Sequence, residues 1–204
     1  MEASVEAPSR LEGDKARRII DAMRASVGTR GAAASTFDHV AREAGVSRGL
    51  LHYYFGSKER LLVEVVRHDT ELRIGALERN LAKADTLEAI VDVLVSQVRN
   101  FLAEDPTAQA VIYEMLSASR HNDDLRREMG ELYRKVRGQV AGVLREKDAA
   151  GVVKLRDDAA NVAAVLFALG DGIVMQILSD PDWDSGPAFD LGVRTARFLL
   201  GAAE

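Results

Sequence analysis

The chain has 204 residues, of which 47% are hydrophobic and 29% charged, a composition typical of a soluble globular protein with a substantial core. It contains no cysteine, which excludes a disulfide scaffold, a thiolate zinc site and a cysteine nucleophile, and agrees with a reducing cytoplasm. Residues 1–11 lack the basic start and apolar stretch of a signal peptide, and the longest apolar run, residues 162–170, is too short for a membrane span. We therefore expect a cytoplasmic protein with no membrane segment.

The charge is distributed unevenly along the chain. The formal net charge is −5, which by itself argues against binding to nucleic acid. Between Lys15 and Arg60, however, nine Lys and Arg stand against four Asp and Glu, whereas the region after Arg60 has 17 basic and 24 acidic residues. A basic segment on an acidic body can bind phosphate groups with one end of the molecule.

Apolar residues recur at helical spacing along most of the chain, and no alternation typical of a strand is found, which predicts an all-α fold of about nine helices. Residues 1–12 are polar and are predicted to be disordered. Two capping boxes, Ser35 with Asp38 and Asp85 with Glu88, predict where the second and fifth helices begin. The predicted ranges, with their capping residues, are 14–27, 35–44, 47–55, 57–82, a fifth helix from 85, then 106–119, 123–147, 157–179 and 187–202.

The second and third predicted helices have the features of a helix-turn-helix. Gly45 permits a tight turn at the end of the second helix, and Ser47 caps the third. Val46, Leu51 and Phe55 are spaced to anchor the third helix to the core. The opposite face carries residues that can meet the major groove of B-DNA, and Gly49 allows a close approach. These residues are Arg48, Gly49, His52 and Tyr53.

This segment resembles the DNA-binding domain of the tetracycline-repressor (TetR) family. The match is carried by Val40-Ala41, Ala44-Gly45-Val46-Ser47, Gly49, Leu51, Tyr54-Phe55, Ser57-Lys58-Glu59 and Leu61-Leu62. The resemblance implies a DNA-binding domain at residues 13–60 and an effector-binding and dimerisation domain at 61–204. It further implies a regulator, repressing rather than activating, that binds a palindromic operator in double-stranded DNA as a homodimer and responds to a small-molecule effector.

The resemblance also implies which residues contact DNA. Base edges are expected to face Arg48, Gly49 and Leu50, and phosphates to face Thr36, Ser47, His52, Tyr53, Tyr54 and Lys58. His52 stands where the family usually has tyrosine, and Leu50 replaces a small or polar residue, so we expect Leu50 to touch a thymine methyl group. Alternative interpretations are solvated surface for Arg48, a core position for Tyr54, and plain helix surface for His39.

The C-terminal part resembles the regulatory domain of the choline-responsive (BetI) subgroup at 114–120, 124–126 and 168–173, which does not fix choline as the ligand. In the family, ligand binds among helices 5 to 8, and helices 8 and 9 form the dimer. Both helices carry two apolar stripes in this sequence, and a helix that is apolar on two faces needs two burial partners. We expect Val174 and Phe198 to lie in the seam between subunits; the alternative is that both helices are wholly internal.

Asp171 lies in the middle of the apolar eighth helix, where we expect it to be buried and therefore partnered. One interpretation is a structural pairing with Arg, a backbone group or water. The other is recognition of a polar or cationic effector in a pocket whose walls are apolar and aromatic. The candidate wall residues are Phe167 and Met175 on its own helix and Tyr113, Glu114, Tyr133 and Trp183 opposite.

The sequence offers little for an enzyme. Residues 45–49 fit the G-x-S-x-G pattern of a hydrolase, but that chemistry requires a strand before Ser47, and here a helix precedes it. The four histidines have no H-x-x-x-H spacing, and no phosphate-binding or dinucleotide motif is found. We therefore predict no catalytic residue, metal or cofactor. A small all-helical enzyme using the C-terminal cavity and a sequence-independent architectural DNA-binding protein remain as alternatives.

Overall fold

The computed structural model describes the backbone of residues 10–104 and 106–202, and the side chains of residues 13–71, 74–103 and 111–202. Within these ranges the chain forms nine α-helices and no strand, which confirms the predicted all-α fold. The helices are α1 (Arg10–Ala34), α2 (Phe37–Ala44), α3 (Arg48–Phe55), α4 (Lys58–Lys83), α5 (Leu87–Glu104), α6 (Pro106–Ser119), α7 (Asp123–Ala149), α8 (Ala159–Ser179) and α9 (Gly186–Leu199).

The first helix is longer than predicted at both ends. It begins at Arg10, three residues inside the segment predicted to be disordered, and residues 1–9 of that segment lie outside the described residues. It also continues past the predicted end at residue 27, and within the added turn the Thr29 hydroxyl donates to the Ala25 carbonyl at 3.0 Å. The helical geometry breaks at Gly31 (φ 77°), a conformation that glycine adopts without steric strain.

Two predicted capping boxes are displaced by one residue. The side chain of Thr36, not that of Ser35, caps α2 by accepting the His39 N–H at 3.3 Å. Ser35 is buried instead, and its hydroxyl donates to the Gly31 carbonyl at 2.8 Å, directly after the break in α1. At α5 the hydroxyl of Thr86, not Asp85, accepts the Ala89 N–H at 3.1 Å.

The chain divides into two compact units. The first contains the described residues up to Asp69 together with Pro106–Met129. In this unit α1 packs against both α2 and α6. The unit that holds α2 and α3 therefore also contains α6. The domain boundary at residue 60, which the family resemblance implies, assigns α6 to the effector-binding domain instead. Its most deeply buried side chains include Ile19, Met23, Val40, Leu51, Leu61, Val65, Met115 and Leu125.

The second unit contains the described parts of Thr70–Asp105 and Gly130–Glu204, with α5, α8 and α9 packed on one another. Its core brings together Leu81 of α4, Ile90 of α5, Leu144 of α7, Val162 of α8 and Leu200, which directly follows α9. The end of α9 is held by a hydrogen bond from the Lys154 N–H to the Leu200 carbonyl (3.0 Å). Near the start of α5, Glu88 accepts a hydrogen bond from Arg197 of α9 at 2.7 Å.

Candidate nucleic-acid interface

The turn between α2 and α3 is made by Gly45, whose φ and ψ of 66° and 38° are left-handed. Its N–H donates to the Arg42 carbonyl at 3.2 Å, and the Val46 N–H donates to the Ala41 carbonyl at 2.9 Å. These bonds satisfy carbonyls that the end of α2 leaves unpaired. The apolar face of α2 is buried through Phe37, Val40, Ala41 and Ala44.

The third helix presents one apolar and one polar face, as predicted. The Ser47 hydroxyl caps it by accepting the Leu50 N–H at 3.3 Å, while Leu51 and Phe55 are buried. This cap also explains the G-x-S-x-G pattern without any catalytic chemistry. The outward face is exposed, with Tyr53 75% exposed, and Leu50 lies half-buried at its edge. The exposed residues of this face are Arg48, Gly49, His52 and Tyr53.

Arg48 is held by Asp38, an acidic residue that the sequence pattern assigns to a capping box. Nη1 of Arg48 donates to both carboxylate oxygens of Asp38, at 3.0 and 3.2 Å. Asp38 is the second residue of α2, so this ion pair connects the two helices across their turn. No local sequence signal points to the pair, because ten residues and a turn separate its members.

The residues predicted to contact phosphates surround α3. The Lys58 ammonium, in the first turn of α4, donates to the Ala33 carbonyl at 3.2 Å, and it retains further N–H donors for an anion. The His52 ring lies edge-on to Phe37, with 4.8 Å between ring centroids, and its Nδ1 is 3.2 Å from the Gly56 carbonyl oxygen. Thr36 is exposed beside the start of α2.

Tyr54 is half-buried, and its ring contacts both neighbouring rings, those of Tyr53 at 5.3 Å and Phe55 at 6.0 Å between centroids. This position is compatible with both interpretations of Tyr54, a core residue and a phosphate contact. His39 is also half-buried, and its Nδ1 lies 2.9 Å from Nη2 of Arg42 on the same helix.

The candidate effector residues are divided between the two units. Tyr113 and Glu114 belong to α6 in the first unit, where a Glu114 carboxylate oxygen would lie 3.6 Å from a Cβ atom placed on Gly31. The second unit contains the other five. Among these, Tyr133, Phe167 and Trp183 are half-buried, whereas Asp171 and Met175 are exposed.

The prediction that Asp171 is buried is wrong. Its side chain is exposed, although its neighbours on the same helix, Gly170 and Gly172, are half-buried. The apolar surroundings still remove part of its hydration, which raises the pKa of the Asp171 carboxyl above its ordinary value.

An exposed apolar face runs along α8 and α9, but its residues differ in part from those predicted. Val174 is 3% exposed and belongs to the core, so its prediction as a seam residue is wrong, whereas Phe198 is exposed as expected. Because Val174 is covered by other residues of its own chain, it is not available to a second subunit. The large exposed apolar residues of this face are Val165, Met175 and Leu178 on α8, and Leu191 and Phe198 on α9.

The apolar part of α8 is also longer than the uninterrupted apolar run at 162–170 predicts. With 21 residues, this helix could cross a membrane by length and composition alone, a test that core helices of soluble proteins also pass. Only 17% of its most apolar stretch is buried within the chain, and the remaining residues are half-buried or exposed. No group of three or more His, Asp or Glu suited to hold a metal is found in the described part of the chain.

Two short helices joined by a left-handed glycine, with a polar and cationic outer face on the second, define a helix-turn-helix DNA-binding protein. Residues 19–65 match the family model described as bacterial regulatory proteins, tetR family. Residues 85–202 match the model for the tetracyclin repressor-like C-terminal domain. The chain belongs to the TetR family of transcriptional regulators, and family membership thus identifies a regulator and not an enzyme.

Relatives agree with this assignment along most of the chain. The chain is 32% identical to the HTH-type transcriptional regulator BetI of Agrobacterium fabrum over 170 residues, which cover 81% of this chain and 78% of the relative. The fold is shared with the regulator FadR of Bacillus subtilis in complex with stearoyl-CoA (TM-score 0.74, 22% identity, 92% and 99% coverage). It is also shared with a putative transcriptional regulator of Saccharomonospora viridis in complex with choline (TM-score 0.72, 22% identity, 91% and 95% coverage).

Proposed function

We propose that this regulator is a cytoplasmic, homodimeric repressor that binds a palindromic operator through α3 and leaves it when a small-molecule effector binds. The observation that carries the proposal is the outer face of α3, where Arg48 stands at the start of the helix and Gly49 leaves room beside it. A cationic helix face without bulk near its N-terminus fits the major groove.

Within the interface, we assign base-edge contacts to Arg48, Gly49 and Leu50, which lie in the first turn of α3. Phosphate contacts are assigned to the hydroxyls, rings and ammonium that surround this turn, namely those of Thr36, Ser47, His52, Tyr53, Tyr54 and Lys58. The excess of basic residues between Lys15 and Arg60 supports this division, since phosphate contacts supply much of the affinity and base contacts the selectivity. DNA binding is thereby assigned to residues 13–60, and effector binding and dimerisation to 61–204.

Dimerisation through α8 and α9 is supported by the exposed apolar residues Leu178, Leu191 and Phe198. A second copy would cover the largely unburied apolar surface of α8, which removes the need for a membrane to cover it. A two-fold dimer presents two copies of α3 to two half-sites of opposite orientation, hence a palindromic operator. Repression is favoured because occupancy of a promoter suffices for it, a choice that relies on analogy with the family.

The effector class is proposed from Asp171, a carboxylate between apolar residues of α8, with Phe167 and Met175 four residues away on either side. A carboxylate next to apolar and aromatic side chains suits a cation such as a quaternary ammonium compound. The structural relative with bound choline is compatible with this class. Effector contacts by the remaining candidate residues are predicted from the sequence alone. These residues are Tyr113, Glu114, Tyr133 and Trp183.

The proposal can be tested by selecting DNA from a random pool with the purified protein. We expect enrichment of one palindromic sequence whose half-sites are about 10 base pairs apart or a multiple of that. Recovery of unrelated sequences with equal affinity would instead identify an architectural DNA-binding protein, the alternative that the basic N-terminal segment also permits.

A further inference from the structure

Asp38 occupies an unfavourable place for a DNA-binding surface. It lies in the first turn of α2, and its side chain is 67% exposed, on the same surface as Arg48. A carboxylate there repels the phosphates of an approaching duplex and removes part of the positive charge that attracts them. A compensating role would explain its presence at this position.

The compensating role of Asp38 is its ion pair with Arg48. Both carboxylate oxygens of Asp38 accept from the same guanidinium nitrogen of Arg48, Nη1, at 3.0 and 3.2 Å. Arg48 is 59% exposed, so the pair contributes little to the core. The described hydrogen bonds of Arg48 use Nη1, whereas a guanidinium has five N–H donors, so Nη2 and Nε can donate to the O6 and N7 atoms of a guanine.

We propose that Asp38 is a positioning residue that sets DNA sequence selectivity by holding the Arg48 guanidinium for bidentate recognition of a guanine. An unrestrained arginine loses rotamer freedom when it docks on a base, and one already held by a carboxylate loses less. The selectivity for guanine therefore depends on two residues, one in each helix of the motif. This inference rests on the proposed base contact of Arg48.

The test uses the full-length protein and the operator selected from random DNA. Dissociation constants are measured for this operator and for its single-base-pair substitutions, with wild type, Asp38→Asn, Arg48→Ala and the double variant. Glu43→Gln is the matched control, because it removes one exposed negative charge from the same helix. Asp38→Glu, which keeps the charge, is included to look for partial rescue.

We expect Arg48→Ala to lower discrimination at one G·C pair per half-site by about fivefold to 150-fold. Asp38→Asn should lower discrimination at that same pair by about two- to fivefold. In the double variant the loss should equal that of Arg48→Ala alone, because Asp38 acts through Arg48. Glu43→Gln should change affinity for all sequences alike and leave discrimination unchanged.

Three results would overturn the inference in distinguishable ways. If Arg48→Ala shows the base-specific loss but Asp38→Asn behaves as Glu43→Gln does, Asp38 is a mere surface charge and the readout by Arg48 stands. If Arg48→Ala weakens every sequence equally, the proposed base contact itself is wrong and the inference falls with it. A shift of preference by Asp38→Asn at a base pair that Arg48→Ala leaves untouched would also overturn it, since Asp38 would then contact a base directly.

Discussion

Nε of Arg24 on α1 donates a hydrogen bond of 2.7 Å to Oδ2 of Asp69 on α4, and Asp69 is 8% exposed. The two residues are 45 positions apart in the sequence. Through this ion pair α4 is connected to α1, the helix that also packs against α2 and α6 within the first unit. The pair therefore helps to stabilise the unit that contains the helix-turn-helix.

Replacement of Asp69 by Ala should lower the free energy of unfolding by about 1–2 kcal/mol, because the half-buried Arg24 loses a charge-assisted hydrogen bond to a buried carboxylate. Glu71→Ala is the control on the same helix, since Glu71 pairs with Lys135 at an exposed site and its removal should cost about 0.5 kcal/mol or less. Denaturant unfolding of both variants measures the difference. Equal losses of unfolding free energy in the two variants would show that the Arg24–Asp69 pair stabilises the fold no more than an exposed ion pair does.

Lys58→Ala should weaken binding to the operator and to random DNA alike, because a phosphate contact carries no sequence information. The slope of the logarithm of affinity against that of salt concentration should fall by about 0.9 for each phosphate that the protein no longer neutralises. Lys15→Ala, at an exposed lysine near the start of α1, is the control for general charge. An unchanged slope for Lys58→Ala would mean that Lys58 does not contact a phosphate and serves only to bind the Ala33 carbonyl.

Phe198→Glu and Leu178→Glu should convert the proposed dimer into folded monomers, because each places a charge on the exposed apolar face of α8 and α9. Val174→Glu should unfold the protein instead, since Val174 is buried within its own chain. Sedimentation gives the oligomeric state and circular dichroism the helical content. Dimers that persist in both of the first two variants would place the interface elsewhere.

Asp171→Asn should abolish the stabilisation of the protein by choline, used as the cationic probe, in a thermal-shift assay. The neutral carbon isostere of choline should have little effect on wild type, and Asp180→Asn, at the other carboxylate near the end of α8, should respond as wild type does. The variants should keep their affinity for the operator. Equal shifts by choline in Asp171→Asn and wild type would assign Asp171 to the scaffold.

The difference in stability between wild type and Asp171→Asn should depend on pH. Because the pKa of Asp171 is raised in the folded state, the folded protein binds more protons than the unfolded chain above the ordinary pKa of 3.8. Wild type should thus lose stability relative to Asp171→Asn as the pH rises from 3.8 through the raised pKa, and the difference should then stay constant. A difference in unfolding free energy that is flat over this range would contradict the partial desolvation of the carboxyl.

Helical spacing is enough to predict the number and order of the helices in the described part of the chain, whereas it predicts their caps less accurately. At α2 and α5 the true caps, Thr36 and Thr86, follow directly after Ser35 and Asp85, which the capping-box pattern favours. Two adjacent residues that can both cap a helix cannot be ranked by sequence alone, because backbone geometry decides which side chain reaches the free N–H groups.

The faces of α8 cannot be assigned from the sequence for a related reason. A helix that is apolar on all sides has no preferred inward face, so the predictions for Val174 and Asp171, three residues apart, are both wrong. The Asp38–Arg48 pair is not predictable either, because contacts across a turn depend on the angle between two helices, which local patterns do not specify. By contrast, the outward face of α3 follows from its buried anchors Leu51 and Phe55.

Methylation interference on the selected operator tests the central claim, that α3 reads base edges in the major groove, most directly. Methylation at guanine N7 modifies the major groove, and at adenine N3 the minor groove. We predict that N7 methylation blocks wild-type binding at guanines in two symmetric half-sites, and that Arg48→Ala loses sensitivity at one guanine of each. Interference confined to adenine N3, or none at guanine N7 in either half-site, would contradict recognition through α3.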